Sequence, residues 1–261
     1  YKTKHKQQQA VWLFLGGCLI ALSIMTKLIP ILFLPFLLLP LGIRKTLILG
    51  GWIVLCAGIF WGPLLEEGFW NSYMETIGLW FNNFEFNASF YNVVKFIAME
   101  NGHSAYRSIL TYGKILPFLM MGVALAVFIW QWKKIAGLIN TPHCAFSVRL
   151  KNLVDLHFKE YPRVMEISIN SMLFMFTGHL LVATTVHPWY LCFGVILAIF
   201  TSLKYAYLWS GMVFLSYVTY SDPNFKENLG VIALEYLIVF GFLFYEIVKI
   251  KRLKRESVKN V

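Results

Sequence analysis

Apolar residues run along this chain in eight blocks, at 10–26, 28–42, 46–65, 110–132, 167–186, 188–203, 205–221 and 229–248, parted by short polar clusters that are mostly basic. A bilayer core of about 30 Å takes about 20 helical residues at about 1.5 Å each, and fewer where neighbours shield the ends. The pattern predicts an all-α, polytopic helical bundle of about eight membrane segments, a single membrane domain over residues 1–261. Three polar stretches interrupt it: a loop at 66–109, a linker at 133–165 and a basic tail at 249–261.

The first two blocks together span 33 residues around Lys27-Leu28-Ile29-Pro30, and read as either one straight helix or a hairpin. Pro30, Pro35 and Pro40 recur at five-residue spacing. Each removes a helix donor and strains the turn before it, so the second block is expected to be kinked or broken. Membranes tolerate that where protein or a wet cavity re-satisfies the backbone. Charge separates the two readings. With all eight blocks crossing, one side receives the amino terminus, Arg44-Lys45, the linker, Lys204 and the tail, which hold 18 of the 23 Lys and Arg residues. Cytoplasmic loops carry that excess, so both ends are expected inside and the 66–109 loop outside. A single straight helix would invert the topology on one side of it, so the hairpin is the expectation.

Composition narrows the class. The chain is 58% hydrophobic and 14% charged, against about 25% charged in soluble domains, which excludes a water-soluble globule. The net charge of +10 has no polar face on which to spread, so membrane lipid rather than nucleic acid is the expected partner. Lys249-Ile250-Lys251-Arg252-Leu253-Lys254-Arg255 fits an anchor to anionic lipid, and Val148 to Phe158 fits an amphipathic helix lying on the surface. Cys18, Cys56, Cys144 and Cys192 have the spacing of neither a zinc site nor a disulfide framework. Starting at Tyr1 with no initiator Met and no signal-peptide pattern, the chain is expected to be a fragment.

Candidate chemistry lies on the outer side. From Trp80 to Asn92, six aromatic rings alternate with amides and one carboxylate, Glu85. Such rings anchor a loop at the membrane interface, or stack on sugar faces while Asn and Glu bond hydroxyls. Asn87-Ala88-Ser89 also fits the glycosylation sequon. A second constellation, Val186-His187-Pro188-Trp189-Tyr190, occupies the turn between two blocks, where proline ends one helix and starts the next. Alone, His187 reads as a structural hydrogen-bond donor; beside Trp189 and Tyr190 it could bind phosphate or shuttle a proton. His179 reads as a packed histidine. Lys27 either serves an anionic ligand or snorkels to the interface. Glu235 and Glu246 fall in or at the end of the last block, with Glu246 expected to pair with Lys249 at the interface. The chain has no P-loop, dinucleotide fingerprint, His-x-x-x-His pair, Gly-x-Ser-x-Gly elbow or sustained repeat.

Taken in order, Ala21-Leu22-Ser23-Ile24-Met25-Thr26-Lys27-Leu28-Ile29-Pro30, Phe84-Glu85-Phe86-Asn87-Ala88-Ser89-Phe90-Tyr91 and His187-Pro188-Trp189-Tyr190 resemble successive landmarks of bacterial GT-C membrane glycosyltransferases, in the branch of polyprenyl-phosphate-mannose-type mannosyltransferases. The resemblance implies a multi-pass protein of the bacterial inner membrane that transfers a hexose, with mannose the sugar of that branch. The donor would be a polyprenyl-phosphate sugar, the acceptor a glycan or lipid, and the reaction extracytoplasmic. It implies that Lys27 faces the donor phosphate, that His187, Trp189 and Tyr190 line the same cavity, and that Glu85, Asn87 and Tyr91 contact sugar or brace the loop. The catalytic acids of such enzymes lie in a first outer loop, expected upstream of Tyr1, so the resemblance implies a carboxy-terminal fragment, no catalytic residue is assigned, and the fragment alone is expected to be inactive. No cofactor is identified, no metal ligand is assigned, and need for a divalent metal stays open. The competing classes are a transporter or lipid flippase, which also uses kinked helices and intramembrane cations, and a non-catalytic assembly subunit.

Overall fold

The computed structural model describes residues 2–82, 84–138, 161–223 and 225–259. Cys144 and the expected surface helix from Val148 to Phe158 lie outside them. Among the described residues the chain is helical with no strand, and five helical stretches are long and apolar enough to cross a membrane. The all-α polytopic bundle is therefore observed. The helices are α1 (Lys2–Thr26), α2 (Leu38–Trp61), α3 (Phe69–Asn82), α4 (Phe90–Glu100), α5 (Ala105–Leu138), α6 (Tyr161–Val182), α7 (Leu191–Ile199), α8 (Tyr205–Met212) and α9 (Leu229–Lys259). They form two compact units, one of residues 1–76 and 124–172, the other of residues 77–123 and 173–261.

In the first unit the chain reverses at Lys27, as the charge pattern predicts. Ile29–Leu37 winds as a 3-10 helix, the tighter form, which rises about 2.0 Å per residue. Proline-spaced sequence thus reaches further than an α-helix of equal length. At Gly42 the backbone takes φ 75° and ψ 163°, breaking α2; this left-handed region is open to glycine and strained for other residues. Beyond the break, contacts rise together: Gly16 faces Leu49 and Gly17 faces Trp52, Phe14 packs edge-on to Trp52, and Cys18 Sγ lies 3.1 Å from Cys56 Sγ. α1 and the latter part of α2 are therefore parallel, and the segment between them must run back. Closeness depends on small residues: a Cβ on Gly17 would sit 2.5 Å from the Trp52 Cβ. Ala21, Leu49, Ile53 and Cys56 are buried in this seam.

The carbonyl of Phe36, in the 3-10 segment, takes a donor from a side chain distant in sequence. Gln131 Nε2 donates to that carbonyl at 2.9 Å and to Ser168 Oγ at 3.0 Å, beside the core of Leu39, Ile135 and Val164. This is the re-satisfaction that an apolar interior demands.

In the second unit a core of Ala88, Tyr91, Ile109, Tyr112 and Leu116 joins α4 to the first half of α5. The 66–109 stretch, read from sequence as a loop, contains α3 and α4. Block 188–203 forms a short apolar helix, Pro188–Ile199. Block 205–221 is α8 followed by a 3-10 helix, Val213–Ser221, whose larger rise lets seventeen residues reach about 30 Å. Gly194 lies against Phe176 and Ala206, bringing α6, α7 and α8 together. Glu246 does not take up the expected interfacial pairing with Lys249. Its carboxylate accepts the backbone N–H groups of Lys204, at 2.8 and 3.0 Å, and of Tyr205, at 2.9 Å. It closes the amino end of α8, where unpaired donors and the helix dipole both favour an anion. The basic tail continues α9 through Lys259, with Arg252 and Glu256 paired across one turn.

Candidate functional site

The site is assembled at the carboxy end of α6. A helix leaves its last carbonyls without intrahelical donors, and here other segments supply them. Ser89 Oγ donates to Leu181 O and Tyr112 Oη to Val182 O, both at 2.8 Å. The chain after α6 then pairs with the outer segment: Phe86 N donates to Thr184 O at 3.0 Å and Val186 N to Phe86 O at 2.8 Å, while Thr185 Oγ1 donates to Phe84 O at 2.9 Å. These bonds join the two outer constellations of the sequence, Phe84 to Tyr91 and Val186 to Tyr190.

Asn87 is the pivot. Its φ is +52°, a conformation that asparagine enters more readily than bulkier residues. It is fully buried. The side-chain Nδ2 donates to both oxygens of Glu235, at 3.2 and 3.1 Å, the backbone N–H donates to Glu227, and the backbone carbonyl accepts from Tyr236 Oη at 2.9 Å. Trp209 Nε1 also donates to Glu235 at 3.0 Å, and Asn92 Nδ2 to the second oxygen of Glu227 at 3.2 Å. Asn228 caps α9 through the N–H groups of Gly230 and Val231, at 3.0 and 3.2 Å, which sets Glu227 at the helix start and Glu235 about two turns inside. With its amide wholly enclosed, Asn87 has no room for a glycan, so the sequon reading is corrected.

Glu85 forms an ion pair with Lys95 at the edge of this network. Tyr91 is fully buried, with its hydroxyl beside the Glu85 carboxylate. Burial pushes its phenol up from the ordinary range, and the neighbouring Glu85 and Glu227 carboxylates push it the same way.

The outward side is aromatic. His187 stacks on Phe86, with ring centroids 5.0 Å apart and 26° between planes, and on Trp189, at 4.3 Å and 16°. Tyr190 meets His187 edge-on at 5.5 Å. Tyr217 and Tyr220 lie 6.0 and 5.9 Å from Phe86. Trp189 is 51% exposed and Tyr220 57%, so the stack opens outward while Phe86 is buried at its root.

Of the residues singled out from sequence, Glu85, Asn87, Tyr91, His187, Trp189 and Tyr190 thus gather in the second unit. Lys27 belongs to the first, where its N–H closes the last turn of α1 on Ser23 O at 3.0 Å. Sequence reasoning gives neither Glu227 nor Glu235 a partner. The available signal was a carboxylate inside an apolar block, which marks a buried partner by default. Among the described residues no group of three or more His, Cys, Asp or Glu could hold a metal ion.

The sequence model described as Glycosyltransferase family 87 matches residues 4–146, more than half of the 261-residue chain. No curated protein and no solved structure matches.

Proposed function

The chain belongs to glycosyltransferase family 87, and on that premise we propose that it serves GT-C-type transfer of a hexose, mannose, from a polyprenyl-phosphate donor to a glycan or lipid acceptor on the extracytoplasmic face of a bacterial inner membrane. A lipid-linked donor suits a protein in which five helices among the described residues are long and apolar enough to cross a bilayer. The observation that carries the reading is the Phe86–His187–Trp189 stack, rooted on buried Phe86 and ending in the exposed ring of Trp189. This is the surface a sugar takes: C–H faces on rings, hydroxyls on a few placed polar groups.

In the reaction an acceptor hydroxyl attacks the anomeric carbon, the bond to the phosphate oxygen breaks, and polyprenyl phosphate departs as the hydroxyl proton passes to a carboxylate. Cations or donors must hold the departing phosphate. In this reading Trp189 and Tyr190 carry the sugar, His187 donates to the phosphate and Glu85 orients a hydroxyl. Asn87 and Tyr91, both buried, brace the loop and do not touch substrate. Glu227 and Glu235 also hold the loop, because their oxygens are occupied by N–H donors.

The test is radiolabelled transfer by membranes carrying the whole natural protein. Polyprenyl-phosphate mannose is the expected donor, and Trp189→Ala is expected to lower transfer. Transfer from a nucleotide sugar alone, with no use of the lipid-linked donor, would refute the assignment.

A further inference from the structure

α1, the returning 3-10 segment and the start of α2 enclose a groove of about 480 Å³ in the first unit, within the usual size of a ligand site. Its two ends differ. Gln8, Gln9 and Lys45 line one end with the rings of Trp12 and Tyr161, the mixture that marks the headgroup level of a bilayer. Gly16, Ile20, Leu37, Leu41 and Leu49 line the rest; Gly16 presents no side chain to the groove, and a Cβ there would make only ordinary contact with Leu49, at 3.8 Å. From Gln8 to Ile20 the groove runs about 18 Å along α1, close to the depth of one leaflet, half of the roughly 30 Å core. Among the described residues no carboxylate lines it, and Arg44 adjoins Lys45 in the chain.

An occupant that satisfies both ends has one apolar tail and a negative head, and enters sideways from the bilayer. We propose that this groove binds one anionic phospholipid in the leaflet on the side of the amino terminus, an acyl chain lying over Gly16 and the phosphate at Lys45. The proposal stands on the groove and is independent of the sugar chemistry.

The experiment is native mass spectrometry of the full chain in mixed micelles, offered phosphatidylglycerol or phosphatidylcholine. One phosphatidylglycerol per chain is expected to be retained in preference to phosphatidylcholine. Lys45→Gln, which changes only a surface charge, is expected to lower that retention about fivefold, and Lys45→Arg to preserve it. Gly16→Leu, checked for an unchanged melting temperature, is expected to abolish it. Equal retention of both lipids, or wild-type retention by Lys45→Gln, would overturn the proposal. So would binding of inorganic phosphate alone at the same concentration, since it would identify a bare anion site.

Discussion

The side-chain amide of Asn87 donates to both carboxylate oxygens of Glu235, across 148 positions of sequence and with neither residue open to solvent. Charge-assisted bonds of this kind are about twice as strong as neutral ones. Asn87→Ala removes both donors and leaves a buried carboxylate short of partners, a loss of about 1–3 kcal/mol. Asn87→Asp is expected to be worse at neutral pH, because two carboxylates then face each other, and to recover as the pH falls and one takes a proton. Melting temperature in detergent measures both. A double cycle with Glu235→Gln should show coupling of at least about 0.5 kcal/mol.

Tyr91 supplies a pH test with a fixed sign. Its phenol is held above the ordinary value of about 10 by burial and by nearby carboxylates. Below about pH 10 the residue is neutral in both folded and unfolded chains and contributes no pH dependence. As pH rises past the unfolded value, the unfolded chain ionises first and stability falls. The melting temperature of Tyr91→Phe is therefore expected to decline less steeply between about pH 10 and 12 than that of the natural chain. At neutral pH the variant loses only the hydroxyl beside Glu85 and should cost about 1 kcal/mol. Parallel declines would contradict the buried phenol.

Gly17 and Gly51 make a matched pair. A Cβ on Gly17 meets Trp52, and one on Gly51 meets nothing within 4 Å. Gly17→Val is expected to destabilise the first unit by about 1–3 kcal/mol, while Gly51→Ala is neutral or slightly stabilising, as removal of a helical glycine should be. Equal effects by thermal unfolding would mean that α1 and α2 are not in close contact.

Gln131→Leu removes the side-chain donor to the Phe36 carbonyl and to Ser168 Oγ and is expected to cost about 1–3 kcal/mol. Thermal unfolding in detergent measures it, and an unchanged melting temperature would contradict the contact.

The sequence reveals what is local and periodic. The reversal at Lys27, the broken proline segment and the apolar helices follow from hydropathy, proline spacing and loop charge, and the structure has each of them. It does not reveal pairings between distant segments. Glu246 with Lys249 three residues on looks like an interfacial pair, and only the fold brings the amino end of α8 to its carboxylate. Asn87 carries a sequon whether it faces water or Glu235. The meeting of Phe86 with Thr184 and Val186 depends on where α6 ends in space, and no motif at either position encodes its partner. Helices α3 and α4 were hidden for a different reason: their aromatic and amide-rich composition reads as a loop when no long apolar block marks it.

The most direct test of the central claim is initial-rate transfer of radiolabelled mannose from polyprenyl-phosphate mannose, by membranes carrying the natural protein or its Trp189→Ala variant at matched abundance. The expected result is lipid-donor transfer that falls about tenfold or more in the variant, the equivalent of about 1.4 kcal/mol of lost transition-state binding, with the melting temperature unchanged. Equal rates in the two membranes would contradict a sugar-binding role for the exposed ring stack.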